Sequence, residues 1–436
     1  MTVFRRASCA AVLALAFGMS QPALTKPAQA QESFKVGIVT FLSGQAAESF
    51  GVPAWNGGKV LIEALNKGEA PAPYDKPGFG GMTIETVVVD EAGGATKQVQ
   101  ELRNLYQREN VDVVIGYVSS GDCLAVAPAA EELKRLLILY DCGTPRIFED
   151  AKYEYVFRTA SHATMDNVAL ARYMKSQGVK AGTVSAINQD YAWGHDSRND
   201  FLAAMEQFYP GFKAEADLLP KFGAGQYGTE ISALVRQGSD VVHSSLWGGD
   251  LQAFILQAGP RGLFKRSQVV LSAADHVLPS LGDKMPDGTI IGARGAYGLL
   301  APKSDLNDWF WKIYQEAYDV YPVQAPYRMV QAILGLKVAV EKAMAENGGT
   351  KPTKEQIAAA LKGSEWQSPA GTIRMALGDG HQAIQQTAIG RTRFDEGRKM
   401  VVLDDIQNFK AECVNPPADR KSIEWIKAGF PGAQCD

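Results

Sequence analysis

The stretch Val36-Gly37-Ile38-Val39, running on through Leu42-Ser43-Gly44 to Phe50-Gly51, decides how the rest of the chain is read. A short apolar run closed by a Ser-Gly pair reads as a buried strand and its turn, and the longer amphipathic segment over 54–66 reads as a helix. The same switch then recurs. Strands are expected at 36–39, 83–89, 111–115 and 136–139, with helices at 54–66, 96–108 and 124–134 between them. Such alternation builds β-α units around a parallel sheet, with ligand groups outside the carboxyl ends of the strands.

The alternation restarts after Arg158-Thr159, with a helix over 165–177, a strand over 182–187, a helix over 193–208 and strands over 240–243 and 268–271. Beyond Tyr297 come helices at 306–318, 327–345 and 354–361, then β-like segments from Gly371 onward. These are too few for a third domain, so they are expected to complete the first two by crossing a hinge. With 436 residues the chain exceeds the ~250–300 at which single cores stop growing. The expected fold class is therefore α/β, with two doubly wound lobes. Residues 68–81, with Pro71, Pro73 and Pro77, read as a surface excursion of no legible role.

A composition of 46% hydrophobic and 21% charged residues with a formal charge of −4 excludes a disordered or nucleic-acid-coating chain. Arg5 and Arg6, the apolar stretch 10–19 and Ala28-Gln29-Ala30 compose a secretory leader over residues 1–30. Cys9 precedes the apolar stretch, which argues against a lipid anchor. Removing the leader takes the charge from −4 to −7, so nothing attracts phosphate backbones, and a soluble exported protein is expected. Of the cysteines left, Cys413 and Cys435 are expected to pin the C-terminal tail as a disulfide. Cys123 and Cys142 either pair across two strand ends or stay as free buried thiols.

The familiar catalytic and metal-binding patterns do not occur. Gly57-Gly58-Lys59 fails as a phosphate loop, because Pro53 stands at the leading glycine and Val60 at the hydroxyl position. His162, His195, His243, His276 and His381 show no ligand spacing, so no metal and no cofactor is assigned. What remains is polar groups at strand ends. Ser43-Gly44 follows the first strand, and Ser119-Ser120-Gly121-Asp122 follows the third and opens a helix. A hydroxyl beside unpaired amides at a helix start suits a carboxylate; the competing reading makes Ser120 a helix cap.

Together these residues resemble a family: the periplasmic solute-binding proteins of ABC transporters, in the branch of the leucine/isoleucine/valine receptor with the type I periplasmic binding fold. The resemblance rests on Val36-Gly37-Ile38 with Leu42-Ser43-Gly44 and Phe50-Gly51, and on Ile115-Gly116 before Ser119-Ser120. It extends through Tyr155-Val156-Phe157-Arg158-Thr159 and Asp190-Tyr191-Ala192-Trp193-Gly194, and covers nearly all of the chain beyond the leader. It implies two lobes joined by three crossings, the first of residues 32–162 and 299–384, the second of 163–298 and 385–436. Ligand would shift the population toward a closed form that transporter permease subunits at the inner membrane recognise. A periplasmic monomer that catalyses nothing is implied.

Carried over residue by residue, the resemblance implies ligand contacts at Phe50 and Ser120, at Asp141, Cys142 and Gly143 after the fourth strand, and at Trp193 and Trp247 in the second lobe. Asp275 falls where the family's acid pairs with a ligand ammonium, and its alternative is a helix cap before His276. The sequence departs from the family at Gly143, where a hydroxyl is lost, and at Asp141, where an acid is gained. Ser43, Tyr117, Tyr191 and Tyr297 are further cleft candidates, although Tyr117 and Tyr191 read better as packing residues. The broad rings suit a planar or aromatic solute.

The leading expectation is a receptor for an amino acid or related small carboxylate or amide. Two alternatives from other classes are an exported α/β hydrolase, for which only Cys123 and Cys142 offer a nucleophile, and a ligand-sensing domain of a membrane receptor.

Overall fold

The computed structural model describes residues 1–3 and 32–435, so the expected leader lies outside the described residues except for its first three. Ten strands come first: β1 (Ser33–Thr40), β2 (Thr83–Asp90), β3 (Val113–Gly116), β4 (Leu137–Leu139), β5 (Val156–Arg158), β6 (Thr183–Ile187), β7 (Lys213–Leu218), β8 (Val241–Ser244), β9 (Gln268–Leu271) and β10 (Ile290–Gly292). Then follow β11 (Glu365–Ser368), β12 (Gly371–Leu377), β13 (Gln382–Ile384), β14 (Thr387–Asp395) and β15 (Met400–Phe409). They form two sheets, ordered β11-β12-β13-β5-β4-β3-β1-β2 and β15-β14-β10-β9-β8-β6-β7.

Each sheet is a lobe of the α/β kind: β1 to β5 with β13 are parallel in the first and β6 to β10 in the second, and antiparallel pairings of β12 and β11, and of β14 and β15, finish them. The chain passes between the sheets three times, from β5 to β6, from β10 to β11 and from β13 to β14. Inner strands such as Val113–Gly116 and Val241–Ser244 are buried at every residue, which explains their unbroken apolar runs. The sheet order reverses between β1 and β3 in one lobe and between β6 and β8 in the other. Open α/β sheets bind solutes at such reversals, outside the carboxyl ends of the strands.

The long helix Gln324–Glu346 is buried along most of its length and belongs to the core under the first sheet. Helix Val52–Lys67 crosses it closely: a Cβ on Gly57 would stand 2.8 Å from the Cα of Pro326, and one on Gly58 would stand 2.9 Å from Met329. Gly57-Gly58 is thus a helix contact. Among the described residues no helix is long and apolar enough to cross a membrane.

Both cysteine pairs are joined, Cys413 to Cys435 with Cα atoms 4.6 Å apart and Cys123 to Cys142 with Cα atoms 6.4 Å apart. The first closes the tail on the second lobe, where Trp425, Ile426 and Phe430 are buried against Phe201 and Met174.

Candidate functional site

Eight residues from the ends of parallel strands, or from the turns after them, converge on one gap between the sheets, together with Val118. Phe50 comes from the helical turn Ala47–Gly51 after β1, Ser120 from the start of the helix after β3 and Gly143 from the turn after β4. The other lobe contributes Tyr191 and Trp193 after β6, Trp247 after β8, Ala273 after β9 and Arg294 after β10. About 260 Å³ lies between these groups, and only about 10 Å³ is open to the centre of a water molecule. That is room for about one water, so a ring-sized solute enters only as the lobes part.

The aromatic walls hold one another in place. Trp247 stands edge-on to Phe50 at 5.4 Å and donates its indole N–H to the Tyr191 hydroxyl at 2.8 Å. Trp193 donates its own to the carbonyl of Ser245, also at 2.8 Å. Fixed rings present preformed π faces, which lowers the entropy lost on binding. Tyr191, expected to pack the interior, lines the gap, and its ring also meets Phe222 at 5.7 Å. Phe222, 38% exposed, and Phe41 close the mouth against Trp247. Sequence reasoning missed both.

Ser120 occupies the first turn of helix Ser120–Glu132, and the cap is its neighbour: Ser119 Oγ accepts from the amide of Asp122 at 3.4 Å. The Ser120 hydroxyl accepts from the amides of Gly143 and Thr144 at 3.1 and 3.2 Å, which leaves its own proton to donate. A Cβ on Gly143 would overlap the Trp193 ring and stand 3.0 Å from Arg294 Nη2. The glycine is there because the indole lies directly over it.

Arg294 was not foreseen. It is 5% exposed, with its guanidinium carbon 4.4 Å from the centre of the Trp193 ring, a cation–π contact. Its Nη1 donates to Asp141, its Nη2 to the Ser161 carbonyl at 3.2 Å, and its Nε reaches Asp166 at 3.4 Å. Arg294, with φ 54°, and also Tyr117 and Cys142, with φ 78° and 43°, hold the left-handed backbone that side chains usually avoid. Such strain gathers at sites where surrounding packing imposes a geometry.

Asp141 does not face the gap as a free acid. It is ion-paired to Arg294 and, at 2.6 Å, to Arg328, so its charge is already committed. Asp275 is also withdrawn: it is buried, and its Oδ2 accepts from the Gln324 amide at 2.8 Å, at the start of helix Gln324–Glu346. It caps a helix, but a different one from the helix expected. Burial pushes Asp166 and Asp275 each up to about 7, despite neighbouring arginines.

The remaining candidates lie elsewhere. The Cys142 sulfur is in the disulfide with Cys123, which leaves neither as the nucleophile a hydrolase would need. Ser43 donates to Asp90 at 2.5 Å and fixes its loop, Tyr117 is buried in the core beneath helix Ser120–Glu132, and Tyr297 bonds Gln331 and Gln385.

A family model described as periplasmic binding protein matches residues 33–398. The chain belongs to that family. This periplasmic binding protein is 25% identical over 302 residues to Leu/Ile/Val-binding protein homolog 6 of Brucella melitensis, a match covering 67% of this chain and 74% of that one. Among solved structures it is similar to a solute-binding protein of an ABC transporter from Rhodopseudomonas palustris HaA2, in complex with p-hydroxybenzoic acid. There the TM-score is 0.74 at 20% identity, over 87% of this chain and 98% of that one. It is also similar to a leucine-binding protein from Thermotoga maritima, with a TM-score of 0.68 at 20% identity over 86% and 98% of the two chains. As a periplasmic binding protein it is a non-enzymatic solute receptor, and its two lobes have the type I fold of those structures.

Proposed function

We propose that the solute is a small planar carboxylate with an aromatic ring and no ammonium group, held between the lobes and handed to an importer. The observation that carries this reading is Arg294 beside three fixed rings, Trp193, Trp247 and Phe50, in one gap. A carboxylate there takes charge-assisted bonds from the guanidinium and one from the Ser120 hydroxyl, while the ring lies against the indoles. An amino acid would need an acid for its ammonium, whereas Asp141 is ion-paired to two arginines and Asp275 is buried, and neither lines the gap. Structural relatives solved with benzoate and p-hydroxybenzoic acid support the same class.

The lobes in this account are residues 32–162 with 299–384 and residues 163–298 with 385–436, and the receptor works as a periplasmic monomer after loss of residues 1–30. The test is a thermal-shift screen with benzoate, 4-hydroxybenzoate, benzamide and leucine. A ligand that binds only the folded state adds about 2.7 kcal/mol at a hundredfold excess over its Kd. The two aromatic acids should raise Tm and leucine should not; a shift with leucine or benzamide alone contradicts the assignment.

A further inference from the structure

A second cavity, of about 480 Å³, opens where the strand β5 and the turn after β12 meet the tail over 416–421. Arg158 and His162, 0% and 2% exposed, line it. Arg158 Nε donates to Gln382, and its Nη1 donates to the carbonyls of Cys142 at 2.7 Å and Thr144 at 2.6 Å. Its Nη2 and the Nδ1 of His162 are buried with no partner. A guanidinium arm left unpaired in the interior carries a full desolvation cost, and a buried cation with a spare donor is unusual unless something binds it.

The charge around the cavity points the same way. Lys152 and Arg420 stand exposed on its wall, and Lys421 is held by Asp150 at 2.8 Å. Of the acids there, Glu149 accepts from the amide and hydroxyl of Ser422, Asp379 is paired with Lys362 at 2.7 Å, and Asp419 completes the set. Burial and the nearby Arg294 pull Arg158 down to about 9 against the opposing pull of Glu149 and Asp141, and its guanidinium carbon lies 5.6 Å from the centre of the Phe148 ring.

We propose that this cavity is a second binding site, for a small oxyanion of the carboxylate or phosphate class, held by Arg158 and His162 within and by Lys152 and Arg420 at its edge. It is distinct from the solute gap but joined to it through one residue. Arg158 grips the carbonyls on either side of Gly143, whose amide, with that of Thr144, holds Ser120. An anion on Arg158 thus bears on the turn that shapes the gap. Any effect on solute affinity must be reciprocal.

The test is a titration of the protein with inorganic phosphate and, separately, with malonate, each against sodium chloride at equal ionic strength, followed by Tm and calorimetry. Saturable binding of at least one is expected, and the preferred anion tells phosphate from carboxylate. The double variant Lys152→Ser/Arg420→Ser changes only exposed side chains and should weaken that binding about tenfold, leaving solute binding in the gap intact. Arg294→Gln should spare it. No saturable binding of either anion, binding unchanged in the double variant, or binding abolished by Arg294→Gln would each overturn the proposal. The last outcome would place the anion in the solute gap.

Discussion

Arg294 has two acids, one carbonyl and one indole around it, and the solute reading depends on it more than on any other side chain. Arg294→Gln should weaken an aromatic carboxylate by about 1.5–3 kcal/mol, roughly ten- to hundredfold by calorimetry, and Arg294→Lys should recover little because lysine lacks the planar fork. Gly143→Ala forces a methyl group into the Trp193 ring, so it should lower stability by about 1–3 kcal/mol in urea unfolding and abolish solute binding. Asp200 carries a pH prediction. It is buried, accepts from Thr164 Oγ1 at 2.7 Å, and is pushed up to about 8 by burial. The folded state therefore holds this proton longer than the unfolded state, and stability falls as pH rises from the ordinary carboxylate range to pH 8. Asp200→Asn removes that slope: its Tm relative to the parent should climb between pH 5 and pH 8, by up to about 1.4 kcal/mol of stability per pH unit. A constant difference would show that Asp200 does not titrate in this range. Phe50, Trp193 and Trp247, which the family resemblance offered as ligand contacts, line the gap, each beside a glycine of its turn or helix start. The two readings of Asp275 could not be told apart from sequence, because the amide it accepts from, that of Gln324 at the start of helix Gln324–Glu346, lies 49 residues away.

At the scale of elements, long amphipathic helices and uniformly apolar strands could be read, and short or charged strands could not. β10 has three residues, too short to show a period, and its antiparallel neighbour β14 begins at Thr387. Overlooking β10 hid Arg294, which follows two residues behind it. β7, Lys-Ala-Glu-Ala-Asp-Leu, has a charge at every second position because it is an edge strand facing water. The loop after β1 and the helix Gly248–Ala258 make the clasp at the mouth of the gap. The Gln45 carbonyl accepts from the Gly249 amide at 3.0 Å, and the Gln45 amide nitrogen donates to Asp250 at 3.1 Å. Asp250 also accepts from Gln189 and from the amides of Gly223 and Gly225, which orders the loop carrying Phe222. Gln45→Ala should leave Tm almost unchanged yet weaken solute binding several-fold, about 0.5–1.5 kcal/mol, mainly through faster release. An unchanged dissociation rate would show that the clasp does not hold the closed form.

For the whole molecule, the strand order and the three passages between sheets make one machine of two lobes. Solute contacts on both sides of the gap favour closure by the difference in affinity between closed and open forms. Thr144 and Arg146 meet Asp196 at 2.6 and 3.0 Å beside the gap, and Glu149 meets Ser422 of the tail, so the lobes are also joined by polar contacts outside the solute space. The two-lobe plan was legible because it follows from the period of apolar runs, which is local. The choice of solute was not, because it depends on which buried charges are already paired, and those pairs span 128 to 187 residues in Arg294–Asp166, Arg294–Asp141 and Arg328–Asp141. The most direct test is a crystal structure of the protein grown with benzoate. The benzoate ring is expected against Trp193 and Trp247, with its carboxylate within about 3 Å of Arg294 and Ser120. Benzoate bound elsewhere, or a leucine-soaked crystal with the amino acid in the gap and its ammonium on Asp275, would contradict it.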